Sequence, residues 1–123
     1  MTPETVEWES VMLTTAPSLE GWNVTTTHDV IASECALGMG LIGDLFTAGT
    51  NALGGRSAAT ERVLREARIA CLSDLRRTAL ALGANAVIAV RLAYSECSGS
   101  ILLVVASGTA VSVSSSSVTP RRR

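Results

Sequence analysis

Three thiols, one imidazole and a handful of carboxylates are the groups in this chain that could do chemistry. The thiols are Cys35, Cys71 and Cys97; the imidazole is His28; Asp29, Glu34 and Asp44 are the carboxylates taken with them as candidate donors. Thiolate, imidazole and carboxylate together form the donor set of a soft-metal site, provided that several of them converge on one ion. Glu34-Cys35 is the best local pair. Cys71 falls on an apolar helical stripe and reads as a small core residue. His28 and Glu34 share strand parity but lie about 20 Å apart along an extended chain at ~3.3 Å per residue, so one copy cannot join them at one ion. Several copies around an axis could bring equivalent residues together.

Three further patterns deserve the same test. Gly38-x-Gly40-x-x-Gly43 fits a dinucleotide fingerprint, and Glu61 lies near the distance expected of its ribose-binding acid. The strand before it is rich in threonine and no parallel β-α-β-α-β succession follows, so an oligomer-facing bend accounts for the glycines better. Gly54-Gly55-Arg56-Ser57 leads into a long helix. Free backbone N–H groups beside an arginine there could cradle a small anion, although the chain contains no lysine and hence no P-loop. Catalysis is poorly supported: there is one histidine, and no Ser/His/Asp or Cys/His set stands at suggestive spacing. A cluster of Glu34, Asp44 and Glu61 would be the carboxylate alternative. The ligand-binding candidates are therefore Glu34, Arg56, Ser57 and Glu61, and the metal candidates are Cys35 and Glu34.

These residues need elements to position them. The 123 residues fit one domain. Their boundaries read as a loose acidic segment at 1–10, a domain over 11–113 and a disordered Ser/Arg tail at 114–123. Hydrophobic residues make up 47% of the chain and aromatics only 3%. Valine, leucine, isoleucine and alanine must therefore fill the core. Apolar surface in excess of what a small domain can hide implies self-association. A net charge of −1 and the shortage of aromatics exclude a nucleic-acid surface. The odd, scattered cysteines and the acidic start point to free thiols and a cytoplasmic setting. The apolar run from Ala36 to Gly54 is broken by glycines and by Asp44, and does not read as a membrane span.

Val11–Thr15 and Asn23–Ala32 read as strands, with Val24, Thr26, His28, Val30 and Glu34 on one face of the second. A short helix is expected at 44–48. Ala58–Leu82 reads as a long helix, capped by Ser57 and stopped by Gly83, with Leu64, Ala67, Cys71, Leu75, Ala79 and Leu82 as its apolar stripe. Such a helix spans about 37 Å at ~1.5 Å per residue. Ala86–Tyr94 reads as a strand with Ile88, Val90, Leu92 and Tyr94 on one face, and Ser98-Gly99 as a hairpin turn. Ile101–Ala106 is apolar on both faces and should be buried on both. The fold class is α+β in two layers, an antiparallel or mixed sheet with the long helix across one face and the other face uncovered.

The chain resembles the YbjQ-like family of small uncharacterised proteins, often labelled heavy-metal-binding. The residues that carry the resemblance are Thr14-Thr15-Ala16-Pro17-Ser18-Leu19-Glu20-Gly21, Gly54-Gly55-Arg56-Ser57, Glu61 with Leu64-Arg65-x-Ala67-Arg68, Leu82-Gly83-Ala84-Asn85-Ala86-Val87 and Ser107-Gly108-Thr109-Ala110-Val111. The resemblance implies a dodecin-like subunit in a ring-shaped homo-oligomer of five copies. It departs from the family at Thr60, where an aromatic is usual, and at Arg91 and Ala93, where acids are frequent; a metal held by those acids would find none here. The functional expectation is a homo-oligomeric binding or structural protein with pockets between subunits, its partners being itself and a small anion or a divalent or soft metal, with no nucleic acid and no membrane. A zinc- or copper-type metal binder is the alternative, and an enzyme with an interface carboxylate site is a third.

Overall fold

The structure, a computed structural model, describes residues 8–38, 55–97 and 101–116, and leaves the side chains of 55–60, 96 and 97 undescribed. The expected helix at 44–48, the turn at Ser98-Gly99, and Gly40 and Gly43 of the glycine-rich string lie outside those residues. The elements in order are a 3-10 turn Trp8–Ser10, β1 Met12–Leu13, β2 Trp22–Gly38, helix α1 Gly55–Ala81, β3 Ala86–Cys97 and β4 Ile101–Ser115. They form a mixed four-stranded sheet in the order β1-β3-β4-β2. β1 runs parallel to β3, while β2 and β3 both run antiparallel to β4. The domain is α+β, as its composition and periodicity predict.

α1 lies on one sheet face. Ala67, Cys71, Leu75 and Ala79 recur every fourth residue and bury against Ile31, Val87, Val90, Val104, Ala106 and Ala110. Three of those four helix residues are small, which lets the helix backbone approach the sheet closely. The helix begins at Gly55, so Ser57 lies within its first turn rather than before it. It ends in a Schellman arrangement. Gly83 takes φ +88°, its N–H bonds Leu80 O at 2.9 Å, and the Ala84 N–H bonds Ala79 O at 3.0 Å. Leu82 therefore leaves the apolar stripe and is 42% exposed.

Asn85 continues the stop into the sheet. Its side-chain oxygen accepts the Val113 N–H at 2.8 Å and its Nδ2 donates to Val113 O at 3.0 Å, so one side chain serves as a short strand partner.

Bulges alter two of the expected face assignments. In β2 the pairing shifts between Val24 and Thr26 and again between Thr27 and Asp29. His28 turns to the helix side as a result, and Glu34 stands on the opposite face, not beside it. In β3 the register shifts between Ile88 and Arg91, and Ala89 adopts φ 55°. Ile88 then faces away from the helix while Val90 joins the core on the helix side. The bulge also aims two successive N–H groups at the N-terminal segment: Ala89 N–H to Ala16 O and Val90 N–H to Thr14 O, both 2.9 Å. Opposite it sits Gly108. A Cβ there would meet Val87 Cγ1 at 2.6 Å and Ile88 O at 3.0 Å.

The face away from α1 is not wholly open, contrary to the sequence expectation. Met12, Leu19 and Ile88 pack over Ala86, Val111 and Val113 at one end. Towards the other end, β4 shows the opposite departure. Val104 and Ala106 are buried, but Ile101 is exposed and Leu102, Leu103 and Val105 are only half-buried, so that strand is covered on one face only among the described residues.

Candidate functional site

Where the second half of β2 passes under α1, a cleft of about 300 Å³ opens. Its walls are Ser33, Glu34 and Cys35 from the strand and Ala70, Cys71, Asp74 and Arg77 from the helix. Strand alternation and helical periodicity explain the set. Residues 33 and 35 point at the helix together, and 70, 71, 74 and 77 are one-turn neighbours on the facing surface. Glu34 alternates away and stands exposed at the rim.

The polar groups in the cleft are unequal. Ser33 is buried, and its hydroxyl donates to Asp74 Oδ2 at 3.2 Å. Cys71 is 2% exposed, and its thiol donates to Ser33 O at 3.1 Å. That thiol is a satisfied core group, as its place on the helix stripe predicts. Cys35 is half-buried and free. Asp74 is exposed, and Arg77 reaches over the Trp8 ring at 4.2 Å, which ties the 3-10 turn to the helix.

Glu34 and Cys35, two of the sequence candidates, thus share one cleft. Glu61 is exposed on the first half of α1 and does not line it. The side chains of Arg56 and Ser57 lie outside the described residues. Asp74 and Ser33 enter the site without having been singled out. Asp74 lies one turn beyond Cys71 on the helix, and that spacing is the signal that could have found it.

His28 sits elsewhere. Its Nε2 is 2.7 Å from Ser112 Oγ, and Ser112 Oγ lies 3.2 Å from Gly83 O. The one hydroxyl proton of Ser112 can serve Nε2 or Gly83 O, so either tautomer of the imidazole satisfies the contact. In both cases the pair braces the helix stop against β2 and β4.

A metal centre is tested by its donors. Among the described residues no three of His, Cys, Asp and Glu are grouped so as to hold an ion. Cys35 and Asp74 are the two candidates with access to the cleft, and Cys71 would first have to give up its bond to Ser33. A closed zinc site needs about four ligands. The described residues of one copy therefore fall short of one. Neither is any described helix long and apolar enough to cross a membrane.

Comparison with known proteins gives the same fold and an equally sparing account of its use. Residues 11–114 match the model of the YbjQ family, whose description is "putative heavy-metal-binding". Among solved structures, the chain is similar to a protein of unknown function of the DUF74 family from Pediococcus pentosaceus. The two are 16% identical with a TM-score of 0.56, and the match covers 85% of this chain and 98% of that one.

Proposed function

The chain belongs to the YbjQ family, and from that premise we propose that it is the subunit of a homo-oligomeric binding protein whose ligand clefts lie at the borders between copies. The observation that carries this is the position of β2. It is a 17-residue strand at the edge of the sheet, no described strand pairs with its outer side, and its Val30 is 75% exposed. Long bare edges with apolar side chains are rare in monomers, because they template pairing with another chain. The Cys35 cleft opens along that same edge strand. A dodecin-like ring, with the five copies that the family resemblance implies, is the assembly this reading favours. Light scattering on purified protein tests it: a mass of several subunits is expected, and a stable monomer at high concentration ends the proposal.

A second reading concerns the ligand. Cys35 with Asp74 across the cleft offers one soft and one hard donor, and the family description points to a heavy metal. With fewer than three donors from the described part of one copy, a neighbouring copy would supply the rest. Metal analysis of tag-free protein, with Cys35→Ser as control, decides it. Stoichiometric zinc or copper that is lost in the variant is expected; equal metal in both, or none in either, removes Cys35 from the site. An interface carboxylate enzyme finds less support, since Glu61 and Glu34 do not share the cleft.

A further inference from the structure

Among the described residues the sheet has two edges without a strand partner, and they differ in chemistry. β2 and β3 are both antiparallel to β4 and so point the same way. β1 and the chain up to Ala16 occupy the outer side of β3 only as far as Val90. From Arg91 to Cys97 no described strand lies beside β3, and none lies beside β2. Charge separates the two edges. The acids of β2 are Asp29 and Glu34, and it has no arginine; the free stretch of β3 carries one arginine, Arg91, at its start and one acid, Glu96, near its end, so the complementarity is local to Arg91. Lateral pairing places Glu34 in a row with Val105 and Ala93, and Ala32 in a row with Ser107 and Arg91. Glu34 and Arg91 therefore stand on the same face of the sheet, the one away from α1, and both are exposed.

The geometry points to head-to-tail assembly in which β2 of one copy pairs in parallel with the Arg91–Cys97 edge of the next, Glu34 against Arg91, so that the neighbour's Leu92 and Tyr94 complete the Cys35 cleft. This rests on the reading of the chain as a self-assembling subunit. Pairing β2 with β2 through a two-fold axis would leave the β3 edges bare and set an edge without arginines against itself, which is unfavourable for like charges on adjacent strands. Setting Arg91 beside Glu34 needs an offset of two residues from the rows within one copy. An even offset keeps faces matched, and a stagger is what a closed sheet requires.

The helix side of the β3 edge fits the same contact. Leu13, Thr14, Thr15, Leu72, Val90 and Leu92 line an apolar groove of about 250 Å³. Leu92 in that wall and Tyr94 beyond it are 36% and 44% exposed. They lie on the face that β2 presents to its own helix through Ser33 and Cys35, so parallel pairing sets them at the mouth of that cleft.

Charge reversal tests the interface. Glu34→Arg, Arg91→Glu and the double variant would be compared with the parent protein by light scattering at low ionic strength, where exposed charges are least screened, with circular dichroism as the check on folding. Each single variant is expected to lose mass towards the monomer, and the double variant to regain the parent mass. Singles that keep the parent mass, or a double that fails to reassemble, overturn this interface while the assembly itself stands. A monomeric parent overturns both. A second measurement reads the cleft: Tyr94→Ala in assembled protein should speed alkylation of Cys35 several-fold, and an unchanged rate overturns the part given to Tyr94.

Discussion

At the scale of single residues, the two described thiols have opposite characters although both border one cleft. Cys71 is buried and its proton is held by Ser33 O, whereas Cys35 is half-buried. In a Cys97→Ser background, iodoacetamide should modify Cys35 in the native protein and leave Cys71 untouched until denaturant opens the core; peptide mass mapping distinguishes the two. Equal labelling under native conditions would mean that the helix does not hold Cys71 as described. The sequence made Cys71 legible, because its place on a four-residue apolar repeat can be read directly. It made the Glu34-Cys35 pair visible but not the Asp74 that faces it, since contact between β2 and α1 is set by packing. His28 was the least legible residue. Its partner Ser112 is 84 positions away, and a bulge decides which face the imidazole takes.

At the scale of elements, the stops and turns were easier to read than the irregularities. Gly83-Ala84-Asn85 announces a helix end, and the structure uses all three residues: a left-handed glycine, a Schellman bond and a side chain that pairs with Val113. The bulge in β3 carries no comparable signal, because the residue at positive φ is an alanine. Straight alternation therefore put Ile88 on the wrong face. Gly108 is the sequence trace of that bulge, a missing side chain where Val87 and Val90 crowd together. Gly108→Ala is expected to destabilise the domain by about 1–3 kcal/mol, the usual cost of overpacking, read as a lower denaturation midpoint in urea. A midpoint equal to the parent's would show that the bulge has room to yield.

At the scale of the whole molecule, the architecture follows from simple counts of what must be covered. α1 hides one face of the sheet, the segment containing Met12 and Leu19 hides part of the other, and apolar side chains such as Val30 and Ile69 remain outside. The sequence conveyed the excess in its 47% hydrophobic residues but could not say where it would lie, because that depends on strand order. If copies join over this surface, unfolding is linked to dissociation, and the thermal midpoint should rise with protein concentration. A midpoint that stays constant over a hundredfold range of concentration would separate folding from association.

The Ala89 bulge has a consequence for any shortened version of β3. Removing that one residue would set Val90 opposite Gly108 and restore an unbroken two-residue rhythm, in which Ile88, Val90, Arg91 and Leu92 all keep the faces they hold now. A single-codon deletion would therefore spare the core pattern and cut instead one of the two anchors, Ala89 N–H to Ala16 O, that tie the segment after β1 to the sheet.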